Sequence, residues 1–336
     1  MKFKLSSNFT HFVILLSLLL FSHHVRAEWF SKAGLNTYYT DDVALFSVTR
    51  RLSLEGDPTQ PLVDEPGQGS GFVYEPTAQL GWSTENVLGE LQLSVDAGGY
   101  IFQDYADYSH AFLDFTLSQE LTEKTKLKLL YAFVPNLYLG KQAVGEHHSE
   151  EAEEFGERLD SHVWSLHLDH KLTESLTLRG LVRYGIRNYD QPFAYRDTQF
   201  YTLGTHLAWE VSSDLELLVG YHFEQGLTND EQTVIYQDDI GYLNNYLSAE
   251  LKAHLLPKLS MSLVFDYEHN IFTSEYKGDR HYQGNENIFQ GEIELAYALT
   301  EQTQLTAGWQ IGSRKFNYEH ESVLNNNLWL GVEFEF

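Results

Sequence analysis

The sequence contains no cysteine, only two methionines and seven prolines, and no long apolar run after its N-terminal segment. The absence of cysteine excludes disulfides, thiol catalysis, thiolate zinc sites and a lipidated N-terminal cysteine. The absence of long apolar runs excludes a helical membrane protein. Basic residues are also scarce. The chain has 22 Lys and Arg but 48 Asp and Glu, which gives a net charge of −26. Because Lys and Arg carry the affinity for phosphate backbones, we expect no nucleic-acid partner.

Aromatic and aliphatic residues, by contrast, are abundant. The chain has 336 residues, of which 43% are hydrophobic, with 21 Tyr, 21 Phe and 6 Trp. A chain of this composition has enough apolar surface to form a packed structure, so disorder is excluded.

Residues 1–27 have the pattern of a cleaved signal peptide. Lys2 and Lys4 supply the basic start, residues 12–21 (FVILLSLLLF) the apolar centre, and Val25 and Ala27 the small residues before cleavage. Ten apolar residues are too few for a membrane anchor, which needs about 20. The sequence therefore predicts export from the cytoplasm.

The rest of the chain alternates apolar and polar residues with a period of two, which is typical of half-buried strands. The last segment is an example, with Leu328, Leu330, Val332, Phe334 and Phe336 on one face. Tight polar turns, such as Ser213–Asp214, alternate with longer polar connections along the whole chain. This asymmetry is typical of a transmembrane up-and-down antiparallel β-barrel, whose periplasmic turns are short and whose extracellular loops are longer.

Counting segments between these connections predicts an all-β fold of about 14 strands, with 12 or 16 as alternatives. We expect the barrel to occupy residues 43–336, with its first strand at 43–54. Residues 28–42 contain strand-like Leu35, Tyr38 and Tyr39, but a fifteenth strand would break the even number expected of a single-chain barrel. They are therefore assigned as an N-terminal extension of uncertain role.

The chain resembles bacterial outer-membrane β-barrel proteins of the porin kind, without matching a particular family. The most specific element is its final strand, which alternates and stops on a terminal Phe336 preceded by Phe334. This ending resembles the insertion signal that the barrel assembly machinery recognises. The resemblance implies residence in the outer membrane of a Gram-negative bacterium, with lipid, lipopolysaccharide and the assembly machinery as partners.

The alternation also predicts which charged side chains line the lumen. One strand directs Arg179, Arg183 and Arg187 inward, about 13 Å apart at roughly 3.3 Å per residue. Later strands direct an acidic set inward: Glu216, Glu250, Asp266, Glu268, Glu292 and Glu294. Opposed basic and acidic walls would create a transverse field in a narrow pore. The alternative is that these charges pair across the lumen and fill it.

The remaining motifs indicate little chemistry. The loop at 146–154 holds His147 and His148 among five carboxylates, which makes them weak candidates for a divalent metal. The loop has no recognised ligand spacing, so ions that bridge lipopolysaccharide, or solvent alone, are equally acceptable occupants. No phosphate-binding loop and no G-x-S-x-G motif is present. We therefore assign no catalytic residue, no cofactor and no enzymatic activity.

The sequence predicts a passive channel or a substrate-selective porin for small hydrophilic solutes. A surface receptor or adhesin, or an export or assembly partner, is the alternative from another class, and a barrel enzyme is a third. The sequence does not name the solute.

Overall fold

Fourteen antiparallel strands close on themselves in a computed structural model of the chain. The structure describes residues 27–49, 61, 67–143, 154–228 and 238–336, and for 47–49 and 143 it describes the backbone alone. Each strand pairs with its neighbours in sequence, and β1 pairs with β14 to complete the ring. The strands are β1 (Glu28–Thr40), β2 (Gly71–Glu85), β3 (Glu90–Phe102), β4 (His110–Thr122), β5 (Thr125–Ala143), β6 (Glu154–Lys171), β7 (Leu176–Tyr189), β8 (Thr198–Ser212), β9 (Leu215–Thr228), β10 (Tyr242–Leu256), β11 (Leu259–Phe272), β12 (Asn285–Ala298), β13 (Thr303–Phe316) and β14 (Val323–Glu335).

The described helical segments are short. One α-helix, α1, covers Val43–Thr49, and two 3₁₀ helices cover Ala106–Tyr108 and Phe193–Arg196. In the described part of the chain, no helix is long and apolar enough to span a membrane.

The predicted strand number is confirmed, but the position of the first strand is wrong. Residues 43–49 form α1 and not a strand, and β1 is formed by Glu28–Thr40, which lies in the predicted extension. The reason is pairing: Tyr38 lies opposite Val73 of β2 and Trp329 of β14, so β1 is the strand that closes the barrel. The predicted signal peptide, apart from residue 27, lies outside the described residues.

Short and long connections alternate around the barrel as predicted. The turns include 123–124, 213–214 and 257–258, whereas the opposite end carries connections such as 41–70 and 273–284. We name these ends the turn end and the loop end. In transmembrane barrels of this topology the turn end faces the periplasm and the loop end faces outward.

The outer face of the barrel is apolar. Leu203 and Leu330 are 64% and 69% exposed, although each belongs to a well-paired strand. Exposed apolar side chains on alternate positions around a closed ring form the surface that lipid covers. The protein is therefore an outer-membrane type of β-barrel, located in the bacterial outer membrane.

The apolar core lies inside the lumen, at the loop end, and we name it the lumen cluster. Aromatic residues from the inner wall pack there around α1. Its buried members are Tyr38, Val43, Ala44, Phe46, Val73, Tyr100, Phe102, Tyr108, Val134, Leu137, Tyr138, Leu139, Leu159, Tyr189, Phe193, Tyr195, Ile240 and Trp329.

Candidate functional site: the barrel lumen

The helix α1 is fixed inside the lumen by its N-cap and by its apolar side chains. The Oδ1 atom of Asp42 accepts hydrogen bonds from the backbone N–H groups of Ala44 and Leu45, at 3.1 and 3.4 Å. A side-chain acceptor at this position satisfies N–H groups that have no partner within the helix. Phe46 is fully buried, with ring centroids 5.1 Å from Tyr38 and 5.7 Å from Tyr100. The first loop therefore narrows the lumen at the loop end.

The three predicted arginines of β7 lie on the inner face, where each has a partner on the wall. Arg179 donates to both oxygens of Asp169 on β6, at 2.6 and 2.9 Å. Arg183 donates from Nε to the hydroxyl of Ser165 at 3.2 Å. The basic side of the lumen is thus a hydrogen-bonded part of the wall.

Arg187 lies nearest the loop end and is buried. Its guanidinium stacks over the ring of Phe200 with 4.5 Å to the centroid and donates to the hydroxyl of Tyr242 at 3.2 Å. Tyr242 in turn donates to Glu224 at 2.6 Å. Glu224, whose inward direction follows from the two-residue period of β9, is therefore the last member of this chain of hydrogen bonds, but the chain itself does not follow from that period.

Four of the six predicted carboxylates lie toward the turn end and remain partly exposed: Glu216, Glu250, Glu292 and Glu294. Glu250 forms an ion pair of 3.2 Å with Lys252, while Glu292 and Glu294 accept from Gln310 and Trp329 at 3.0 and 2.9 Å.

A cavity of about 420 Å³ opens at this end, and we name it the turn-end vestibule. Its lining includes Glu210, Glu216, Lys252, His254 and Glu294. Carboxylates outnumber basic groups along this lining.

Asp266 and Glu268, the other two predicted carboxylates, are deeply buried instead. They occupy consecutive inward positions of β11 and are 1% and 2% exposed. Asp266 accepts hydrogen bonds from the hydroxyls of Tyr246 and Ser248, and Glu268 accepts from Asn244. The acidic wall therefore has a partly exposed section and a buried section. Strand alternation predicts that both face inward but does not predict which carboxylates are buried.

Two histidines of the lumen wall bond to each other. The Nε2 atoms of His206 on β8 and His222 on β9 lie 2.6 Å apart, and their rings stack with centroids 4.8 Å apart. Both side chains are buried, so the pair is an internal part of the wall.

A second buried charged cluster lies at the loop end, in the connections and the first residues of β6, and no sequence pattern indicates it, since its members are far apart in the chain. Arg196 bonds to Glu157 at 2.8 Å and to Asp238 at 2.7 Å. His281 lies against Asp238 and Asp279, at 3.5 and 2.9 Å. Among the described residues, only Asp238, Asp279 and His281 bring three acidic or imidazole ligand atoms within 4.8 Å of one another.

Four predicted residues remain: two in a loop and two at the C-terminal end. His147 and His148 are outside the described residues. Phe334 faces outward from β14, and Phe336 follows the end of this strand, with its N–H donating to the carbonyl of Ser31 at 2.9 Å.

Known structures share this architecture at low sequence identity. The outer membrane channel DcaP of Acinetobacter baumannii is 9% identical, with a TM-score of 0.51 over 93% of this chain and 97% of that one. The chain has the fold of an outer-membrane channel. OmpT of Vibrio cholerae, at 9% identity, covers 95% of this chain and 99% of its own with a TM-score of 0.48. The anion-selective porin of Comamonas acidovorans, at 10% identity, covers 93% and 100% with a TM-score of 0.45. No protein-family profile and no curated protein sequence matches this chain.

Proposed function

We propose that this protein is a substrate-selective channel of the outer membrane, which passes small hydrophilic solutes and prefers cations. The observation that carries this proposal is the shape and charge of the lumen. An acidic vestibule of about 420 Å³ lies at the turn end, and α1 and the lumen cluster occupy part of the loop end.

The vestibule supplies the charge preference. Carboxylates on a pore wall concentrate cations and repel anions when low-dielectric walls focus their field. Glu250 offsets the charge of Lys252, which lines the vestibule, so the negative charge of Glu210, Glu216 and Glu294 in this cavity stays uncompensated by Lys252. The net field at the periplasmic entrance therefore favours cations.

The narrowing supplies the selectivity for size. A barrel of 14 strands is wider than one of eight, whose interior the side chains can fill, and narrower than a porin of 16. Here α1 and the wall aromatics occupy part of that width. We therefore expect a smaller conductance than an unobstructed barrel of the same strand number would give.

Reversal potentials in a salt gradient test the proposal on purified, folded barrels in planar bilayers. Glu250→Gln should weaken the cation preference, and Lys252→Gln should strengthen it. The two side chains carry opposite charges on the same face of β10, with Nζ of Lys252 3.2 Å from Oε1 of Glu250. Glu321→Gln, in the exposed loop between β13 and β14, serves as the matched control and should leave the reversal potential unchanged.

A heat-modifiable, correctly folded barrel without conductance would contradict the channel and favour the receptor or export-partner alternative. An anion preference in the unaltered protein would contradict the role assigned to the vestibule. Equal effects of Glu250→Gln and Glu321→Gln would do the same.

A further inference from the structure

A small cavity lies in the lumen wall between β7 and β13, on the loop-end side of the vestibule. Its volume is about 30 Å³, and Pro61 of the first loop covers part of it. A water molecule needs roughly 10–15 Å³ by this measure, so one or two water-sized groups fit. The charged and amide groups that line it are Arg187, Glu224, Asn244, Glu268, Asn270, Glu286 and Arg314.

Two of its carboxylates have partners on both oxygens. Glu224 accepts from the hydroxyls of Thr202 and Tyr242. Glu286 pairs with Arg314 through one oxygen and accepts from Asn270 through the other, at 3.2 Å. These carboxylates belong to the internal network of the wall.

Glu268 differs, because only one of its oxygens has a donor. Asn244 donates to Oε2 at 2.9 Å, whereas the buried Oε1 has no hydrogen-bond partner in the described part of the chain. Within the same residues no ion pair involves Glu268. Asp266, the preceding inward residue of β11, also has one buried oxygen, Oδ2, without a donor among them.

The cavity therefore contains more negative than positive charge. Three carboxylates line it against two guanidinium groups, and Asp266 adds a fourth carboxylate on the same strand. A buried carboxylate without a compensating charge is costly, and a cation bound at Glu268 would offset that cost.

We propose that this cavity is a binding site for a primary ammonium group, with Glu268 as its main acceptor. The inference rests on the proposed channel function, to which it adds a substrate class: small solutes that carry an amino group. An ammonium group has about the size of a water molecule and three N–H donors to distribute among separate acceptors. The rings of Tyr242 and Phe272 also line the cavity.

An ammonium group fits this site better than a divalent metal ion. Metal ligands must converge to about 2.0–2.6 Å from one ion. The acidic ligand atoms of this cavity do not form such a compact set, since the only such group among the described residues is Asp238, Asp279 and His281. Hydrogen-bond acceptors for an ammonium group can lie farther apart.

Isothermal titration of propylammonium chloride into the full-length folded barrel in detergent, at constant ionic strength, tests the site. We expect saturable binding that Glu268→Gln weakens at least tenfold. Glu321→Gln, the same substitution on an exposed loop, should leave the affinity unchanged. Because Glu268→Gln removes a surplus buried charge, it should fold and resist heat at least as well as the unaltered barrel.

Several results would overturn the site. They are no saturable binding to the unaltered barrel, equal affinity in Glu268→Gln, a Glu268→Gln barrel that fails to fold, and displacement of propylammonium by calcium or sodium at equal concentration. Titration requires no ion flow. Binding without conductance would therefore contradict only the channel function, and conductance without binding would contradict only the ammonium site.

Discussion

Replacing Phe46 with alanine should release α1 from the inner wall and raise the conductance of the barrel. Phe46 is the fully buried aromatic of α1, and its ring contacts Tyr38, Tyr100 and Phe102 with centroids 5.1–5.8 Å away. None of these contacts belongs to the hydrogen-bonded ring of strands, so the barrel itself should still form.

The size of the effect follows from the burial of this side chain. Truncation of a buried Phe to Ala costs about 3–5 kcal/mol. If most of that loss falls on the docking of α1, the undocked population rises by at least about 100-fold, since each 1.4 kcal/mol is a factor of ten. Asp42 would still cap α1, so the helix itself should stay folded when it leaves the wall.

Single-channel recording of Phe46→Ala is the assay. We expect a larger mean conductance, or longer open times, together with faster protease cleavage of the 41–70 connection. Tyr39→Ala provides the control, because Tyr39 adjoins the same connection but is directed outward toward Phe72. Unchanged conductance in a folded Phe46→Ala barrel would refute the role of α1 as the narrowing element.

Three further outcomes are expected. Replacing Phe336 with Asp should reduce the yield of heat-modifiable protein in the outer membrane, measured by mobility with and without boiling, and an unchanged yield would contradict an insertion signal at this end. An epitope in 144–153 should be labelled on intact cells and one in the turn 213–214 should not; the reverse would invert the topology. In the 273–284 connection, burial raises the pKa of Asp279, but hydrogen bonds from His281 and Ser274 outweigh it and leave this pKa below its usual value. A lowered carboxyl pKa stabilises the fold above about pH 4 and loses this contribution as pH falls further. The protection of this connection against hydrogen exchange, corrected for the intrinsic rate at each pH, should fall in acid, and Asp279→Asn should remove most of that fall.

The local sequence pattern was sufficient to predict most strands of the barrel, because strand alternation and turn composition are properties of neighbouring residues. The inward positions of Arg179, Arg183 and Arg187 follow from the two-residue period of β7 alone. The alternation of short turns and long connections likewise predicted 14 strands and the antiparallel order.

Only the tertiary structure decided which segment closes the ring. Residues 28–40 and 43–54 both have strand-like composition, and the choice depends on pairing with β14, about 290 positions away in the chain. Once β1 takes that place, 43–49 is free to fold as α1 against the inner wall.

The chemistry of the lumen was also decided by packing across strands. Period-two alternation shows that Glu250 and Glu268 face the same lumen, but it carries no information on depth or partners. Glu250 is partly exposed and pairs with Lys252 of the vestibule lining, whereas Glu268 is buried with one oxygen lacking a donor among the described residues. That difference arises from the register of β9 to β13 and from Pro61 of the first loop, which together enclose the cavity.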